Sequence, residues 1–274
     1  MKNKMMFAVL AAFLSTGLIA GVYGFSAKNL TVKGSTTVLP IAQSCAEAFM
    51  NKHPDINISV QGGGSGVGIA SLIDGTCDIA DASRLIKDKE MQKAKSKGID
   101  PYENAVAIDG IAVVVHPSNP VDKLTKDQIK DIYTGEISNW KDLGGDNKKI
   151  AVVSRDSASG TFEVFGELAL DKERVRPDAL LQASNQAVAQ TVSRTKGAIG
   201  YLGLSYLSPR IKAVAVNGVE PTKSNVVDGS YMLARNLFMY TDGAPQGLVK
   251  KFIDFVLSED GQKLAEKAGY IPVN

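Results

Sequence analysis

The chain has 274 residues and a formal net charge of +2, with 44% hydrophobic and 22% charged residues. This is the composition of a globular protein that is long enough for one large domain or two lobes. So small a net charge argues against a strongly charged polymer as partner, and we therefore expect no nucleic-acid binding.

Residues 1–27 differ from the rest of the chain. Lys2 and Lys4 precede an uncharged run that continues to Ala27. A basic start, an apolar stretch and small residues at its end are typical of a secretory signal peptide, here with cleavage after Gly24 or Ala27. A membrane anchor is the alternative, but roughly 20 apolar residues are marginal for a membrane span. We therefore expect cleavage and a soluble, exported, periplasmic protein.

The next segment predicts a strand and a helix joined by a hydroxyl-rich turn. Leu30–Lys33 reads as a short strand, the sequence GSTT follows at 34–37, and apolar residues then recur at helical spacing. Pro40 fits the first helical turn, where its missing N–H costs nothing. The first amides of a helix lack partners, so such a start favours a bound anion.

A glycine-rich turn follows the second predicted strand, Ile56–Val60. It reads QGGGSGVG at 61–68 and precedes a short helix at 69–73. The spacing is GxGxG rather than the GxGxxG of dinucleotide-binding folds, and no Gly-Lys-Ser/Thr indicates a P-loop. The turn therefore predicts only a second helix start that an anion can approach closely.

The middle of the first half predicts further strands. The segment 78–84 reads as a strand that ends at Ser83 and Arg84, and Lys87–Lys97 as a solvated helix. The apolar runs Ala105–Ile108 and Ile111–Val115 predict two buried strands with a tight turn between them.

The stretch 150–170 repeats the pattern of strand, polar turn and amphipathic helix. Ser159, Gly160 and Thr161 stand at the helix start, and Arg155 lies just upstream. Arginine binds oxyanions through two parallel hydrogen bonds, so Arg155 is a candidate clamp on the same anion. The alternative is that Ser159 or Thr161 merely caps the helix.

Alternating strands and helices predict α/β lobes with mostly parallel sheets and ligand sites at the strand ends. We place the first crossing between lobes near Val115 and the return near 211–216. The predicted division is 28–115 with 211–274 for lobe 1, and 116–210 for lobe 2.

Cysteines and histidines are few. In an exported protein Cys45 and Cys77 could form a disulfide, which would stabilise the fold by about 3–4 kcal/mol, or could remain two buried thiols. His53 and His116 both precede proline, and neither has the spacing of a zinc site. We expect no metal and no cofactor.

The three hydroxyl-rich helix starts, if they met in one cleft, would surround a tetrahedral oxyanion. Together with Arg155, the sequences of these helix starts resemble those of the periplasmic phosphate-binding protein of the high-affinity ABC phosphate transporter. The similarity also includes YTGEI at 133–137 and GAIGY at 197–201, and it runs from about Leu30 to the C-terminus.

This resemblance implies an α/β, two-lobed type II periplasmic-binding-protein fold with a ligand cleft between the lobes. It implies a binding protein rather than an enzyme, which captures inorganic phosphate and delivers it to an ABC permease. We expect a monomer. By position, the phosphate ligands would be Thr36, Thr37, Ser65, Arg155, Ser159, Gly160 and Thr161, joined by Ser83 and Arg84 as in family members with a Ser-Arg pair.

The acceptor for the proton on phosphate is less well defined. Some members of the family carry an aspartate where this chain has Ala82-Ser83-Arg84. Asp81 or Asp156 could replace it, or could have structural roles. A carboxylate acceptor would favour phosphate over sulfate, which carries no proton near neutral pH.

Several other functions remain open from the sequence. The same fold could bind sulfate or molybdate, or serve as an exported adhesin or a phosphate sensor. More distantly, Ser159 or Ser65 could be the nucleophile of a hydrolase, but GxSxG is absent and both histidines are poor candidates for the general base.

Overall fold

The computed structural model describes residues 28–273, which form ten strands, nine α-helices and two 3-10 helices. The strands are β1 (Lys28–Gly34), β2 (Ile56–Gly62), β3 (Ile79–Ala82), β4 (Pro101–Val115), β5 (Lys123–Leu124), β6 (Ala151–Arg155), β7 (Leu180–Gln182), β8 (Ala198–Gly203), β9 (Lys212–Val216) and β10 (Ala234–Asp242). The α-helices are α1 (Leu39–Lys52), α2 (Ser65–Ile73), α3 (Asp88–Ser96), α4 (Lys126–Thr134), α5 (Gly160–Leu168), α6 (Asn185–Arg194), α7 (Lys223–Val227), α8 (Gly247–Leu257) and α9 (Glu259–Lys267). The 3-10 helices are Trp140–Leu143 and Leu204–Tyr206.

The first lobe is built on strands in the order β2-β1-β3-β10-β4. β1 is parallel to β2 and β3, whereas β10 is antiparallel to β3 and β4. Side chains alternate across the sheet, so Ile79 packs with the core under α1, α8 and α9 while Ala80 packs with the core under α2 and α3. The carboxyl ends of β1, β2 and β3 therefore meet at one edge, where α1 and α2 begin.

The second lobe has its own core. The last part of β4 pairs with β8 and β9, β6 lies parallel to β8 and β7, and β5 pairs with β9. Helices α4, α5 and α6 contribute side chains such as Tyr133, Phe165 and Val188 to this core. The carboxyl end of β6 leads directly into the start of α5.

One prediction about this region was wrong, because Asp109 and Gly110 do not form a turn. Both lie within β4, which runs unbroken through 15 residues. Sheet pairing on either side overrides the local turn preference of the Asp-Gly pair. Gly110 serves packing instead, since a Cβ there would lie 2.8 Å from side-chain carbons of both Leu204 and Val226.

The predicted lobe boundaries at 115/116 and 210/211 stay predictions. Strand pairing joins Ile111–Val115 and β9 to the second sheet, and their side chains lie in the second core. Ala234 is the cross-strand partner of Gly110. We propose that the chain crosses between the lobes near Gly110 and returns near Ala234.

The expected disulfide is not present in the structure, and both cysteines are buried free thiols. Cys45 Sγ lies 3.9 Å from the carbonyl oxygen of Gly261, and Cys77 Sγ lies 3.8 Å from that of Gly68. The two side chains belong to cores on opposite faces of the first sheet, which prevents a bond between them. Burial raises the pKa of each thiol to about 12, which keeps both protonated.

The predicted signal peptide, residues 1–27, lies outside the described residues. Between residues 28 and 273, no helix combines the length and the apolar character that a membrane crossing requires.

Candidate anion-binding site

The three predicted helix starts meet between the lobes. Thr37 Oγ1, at the start of α1, lies 3.0 Å from Thr161 Oγ1 in the first turn of α5. At α2, the N–H of Gly66 donates to the carbonyl oxygen of Ala158, just before α5, at 3.0 Å. Segments that are far apart in the sequence therefore form one cluster of hydroxyl and amide groups.

At Gly160 the two lobes approach each other closely. A Cβ at this position would lie 2.3 Å from Ser65 Oγ and 2.7 Å from Ser83 Oγ. These two hydroxyls are 3.3 Å apart, and Ser65 Oγ also accepts a hydrogen bond from the N–H of Ser83 at 3.0 Å. Glycine is needed here because a Cβ would clash with these two serines of the opposite lobe.

Arg155 contributes a buried positive charge to the cluster. Its Nε donates to the carbonyl oxygen of Gln182 at 2.9 Å, and its Nη2 donates to that of Ala183 at 3.0 Å and to Thr36 Oγ1 at 3.3 Å. The residue is only 1% exposed, and its Nη1 has no hydrogen-bond partner among the described residues. Burial lowers the pKa of this guanidinium. All of its partners are neutral, so its charge is not offset by a bonded carboxylate.

Asn185, the first residue of α6, is a site residue that the sequence did not indicate. Its Nδ2 donates to Thr37 Oγ1 at 3.0 Å and to Thr36 Oγ1 at 3.3 Å. Its Oδ1 accepts from the N–H of Gly203 at 3.3 Å. The only signal was Ser184, which caps α6, and a single cap does not distinguish this helix start from an ordinary one.

An ion pair joins β4 and β10 next to the cluster, near the proposed crossings between the lobes. Arg235 Nη2 lies 3.0 Å from Asp109 Oδ2 and donates to Thr37 Oγ1 at 3.3 Å, while Nη1 donates to the carbonyl oxygen of Ser83 at 3.3 Å. Burial raises the pKa of Asp109, and the charge of Arg235 opposes that shift. Sequence reasoning missed both residues because they are 126 positions apart.

Arg84 lies at the edge of the cluster, where its Nη2 is 3.8 Å from the position that a Cβ on Gly66 would take. Its Nη1 and Nη2 donate to the two carboxylate oxygens of Glu90 at 2.8 and 2.7 Å, and its Nε lies 2.8 Å from Glu163 Oε2. Two carboxylates thus neutralise this guanidinium. The expectation that Arg84 is an anion ligand stays a prediction.

The two candidate proton acceptors have different environments. Asp156 Oδ1 accepts from the N–H of Ala158 at 2.9 Å, which fixes the turn before α5. Asp81 is completely buried, and neither of its carboxylate oxygens has a hydrogen-bond partner among the described residues. Burial raises the pKa of Asp81 well above its usual value. The role of either residue as proton acceptor stays a prediction.

Comparison with known proteins identifies the family. A model of the PBP superfamily domain matches residues 24–260. The phosphate-binding protein PstS of Bacillus subtilis is 36% identical in an alignment of 289 residues, gaps included, that covers 99% of this chain and 95% of that protein. PstS of Staphylococcus aureus USA300 is 38% identical over 252 residues, covering 87% of this chain and 76% of its own.

The chain belongs to the PstS family of phosphate-binding proteins. A phosphate ABC transporter substrate-binding protein from Clostridium perfringens, with bound phosphate, superposes with a TM-score of 0.84 at 38% identity, covering 90% of this chain and 100% of its own. An ABC-type phosphate transport receptor from Vibrio cholerae gives a TM-score of 0.74 at 35% identity, covering 88% and 99%. The expected two-lobed type II periplasmic-binding-protein fold is confirmed.

Proposed function

We propose that this chain is a solute-binding protein that captures inorganic phosphate between its two lobes and delivers it to an ABC permease. The observation that supports this proposal most strongly is the buried guanidinium of Arg155, which has no carboxylate partner in the described part of the chain. A buried guanidinium without a carboxylate partner is costly unless an anion offsets its charge. Its Nη1 has no partner among the described residues, and the helix starts of both lobes lie beside it.

The site has enough donors to bind a phosphate ion tightly. Micromolar affinity requires about −8 kcal/mol, and each hydrogen bond to a charged group contributes roughly 1.5–3 kcal/mol. Several such bonds suffice after the costs of desolvation and lobe closure. We propose as phosphate ligands the hydroxyls and amides of Thr36, Thr37, Ser65, Ser83, Ser159, Gly160 and Thr161, with the guanidinium of Arg155 and the amide of Asn185.

A serine hydrolase is not supported by the geometry. Nucleophilic serine needs a general base within hydrogen-bond reach. His116 Nδ1 lies 2.8 Å from Ser118 Oγ, and the ring of His53 lies 4.5 Å from that of Phe49. Neither histidine contacts Ser65 or Ser159, and the family consists of binding proteins rather than enzymes.

Sulfate is the second candidate ligand. One observation favours it: no carboxylate in the described part of the chain is hydrogen-bonded to the hydroxyls of the cluster. A site of donors alone suits a fully ionised oxyanion, whereas a protonated phosphate needs an acceptor. The hydroxyls of Ser65 and Ser83 can act as acceptors, which keeps phosphate as the first choice. Molybdate is a further anion of the same shape.

We further propose that the mature protein is a periplasmic monomer. The basic start and apolar run of residues 1–27 support export. An adhesin or a phosphate sensor would use the same site, so binding alone does not separate these roles from transport. Loss of phosphate uptake when the gene is deleted would distinguish a carrier from both.

Calorimetric titration of the phosphate-stripped mature protein tests the binding function. We expect one phosphate per chain with micromolar or tighter affinity, little changed by excess sulfate or molybdate. Absence of phosphate binding would contradict the proposal, and ready displacement by sulfate would identify the second candidate as the ligand.

A further inference from the structure

The lobes also meet through a cluster of charged side chains beside the anion site. Glu163 of α5 lies between two cations of the first lobe. Its Oε2 is 2.8 Å from Arg84 Nε, and its Oε1 is 2.8 Å from Lys87 Nζ. These three residues, called here the Glu163 bridge, connect the helix α5 of the second lobe to the segment that follows β3.

The first-lobe half of the bridge is fixed within its own lobe. The Arg84 side chain is 5% exposed and is held by both carboxylate oxygens of Glu90. Burial lowers the pKa of Arg84, but hydrogen bonds and charges from Glu90 and Glu163 outweigh this and raise it. The two hydrogen bonds to Glu90 orient Arg84 independently of Glu163. Glu163 is the partner that arrives with the second lobe.

Two cavities adjoin the bridge, one of about 700 Å³ and the other of about 570 Å³, and Lys87 and Glu163 line both. The bridge thus connects the lobes at the margin of their contact, beside open space. Its position makes it suited to hold the lobes together after they close.

Sequence position couples the bridge to the anion site. Glu163 follows Thr161 by two residues on the same helix, and Arg84 directly follows Ser83. Any movement that carries the start of α5 onto Ser65 and Ser83 also carries Glu163 onto Arg84. Anion capture and formation of the bridge therefore accompany the same movement of the lobes.

We propose that Glu163 is a positioning residue that latches the closed lobes without touching the anion. Arg84 is then part of the latch and not a ligand. The inference rests on the proposed function, because it assumes that an anion draws the lobes together. A partly buried bridge formed only on closure stabilises the bound state, so it slows release more than it affects capture.

The first experiment compares Glu163→Gln with Glu167→Gln. Glu167 lies one turn further along α5, lines the same two cavities, and has no ion pair among the described residues. We expect Glu163→Gln to weaken phosphate binding about ten-fold, mainly through faster dissociation in stopped-flow measurements. Glu167→Gln should match the unmodified protein. Equal affinities for all three proteins, or equal losses in both variants, would overturn the proposal.

A second measurement reports closure directly. Spin labels at Lys95→Cys and Lys148→Cys, one on each lobe, give the distribution of interlobe distances by pulsed electron paramagnetic resonance; both native thiols are buried. We expect Glu163→Gln to reduce the closed population with saturating phosphate and also in its absence. A closed population that is the same with and without Glu163 would refute the latch. If the unmodified protein binds no phosphate, the proposed function fails, yet the phosphate-free comparison still decides on the latch.

Discussion

Arg155 and Arg84 are two buried arginines that meet the opposite lobe in different ways. Arg155 donates to two carbonyl oxygens and to Thr36 Oγ1, all of them neutral. Arg84 lies between the carboxylates of Glu90 and Glu163. At one contact between the lobes, the charge of an arginine is not balanced by a carboxylate. At the other contact, the charge of an arginine is balanced by two carboxylates.

This difference suggests separate roles for the two arginines, anion binding for Arg155 and lobe closure for Arg84. A guanidinium that already has two carboxylate partners gains little from a further anion, whereas one with neutral partners gains a charge-assisted bond. Arg235 belongs with Arg84, because Asp109 neutralises it. We therefore propose that Arg155 binds the anion and that the other two arginines have structural roles.

The largest effect is expected from Arg155→Ala. Removal of a buried charge that faces the anion should weaken phosphate binding about a hundredfold, since such bonds are worth a few kcal/mol. Arg174→Ala is the control, because Arg174 lines the adjoining cavity but is exposed. Calorimetry gives both affinities. If the two variants bind phosphate equally well, the distinction between the two arginine environments is wrong.

The next largest effect is expected at Gly160, where α5 of the second lobe contacts Ser65 of the first lobe. Gly160→Ala would place a methyl group 2.3 Å from Ser65 Oγ and so prevent full closure. We expect more than ten-fold weaker binding, because the helix start of α5 can no longer reach the opposite lobe.

Gly166→Ala provides the matched control on the same helix, where an added Cβ has nothing within 4 Å. Thermal unfolding should show both variants folded, since alanine is the better helix former. Phosphate affinity that is unchanged in Gly160→Ala would mean that the lobes do not close at this point.

The smallest effect on binding is expected at Asp81, a buried carboxyl whose oxygens have no hydrogen-bond partner among the described residues. Burial raises the pKa of Asp81 above its usual 3.8, so the folded state retains a proton that the unfolded state loses. Stability should therefore fall as pH rises above about 4, by up to about 1.4 kcal/mol per pH unit, until the folded carboxyl also ionises.

Asp81→Asn removes this ionisation and should unfold with less pH dependence between pH 4 and 7, with phosphate affinity unchanged. Urea unfolding across that range measures the difference. Identical pH profiles would show that Asp81 has a partner in solution. A loss of phosphate over sulfate selectivity would instead identify Asp81 as the proton acceptor.

Local signals explain what the sequence could predict. The turns at 34–37 and 159–161 each follow a strand and precede a helix, so their hydroxyls were recognisable as candidate anion ligands without tertiary information. Strand ends of α/β lobes meet in one cleft, which made convergence of these turns a reasonable expectation. The structure brings Thr37 and Thr161 together as that expectation required.

Long-range pairing explains what the sequence could not predict. Asp109 and Gly110 have the composition of a turn, yet pairing with β10 and β8 keeps them in one strand. Arg84 follows a site serine, but its direction is set by Glu90 and Glu163, and Glu163 is 79 positions away by sequence number. Side-chain partners of this kind depend on the tertiary fold.

The most direct test of the account is an experimental structure of the mature protein crystallised with phosphate. We predict one phosphate between the lobes, with an oxygen within hydrogen-bond distance of Arg155 Nη1 and others bonded to the hydroxyls of Ser65 and Thr161. Arg84 should remain on Glu90 and Glu163. A phosphate bonded to Arg84, with Arg155 contacting only protein oxygens, would contradict the central claim.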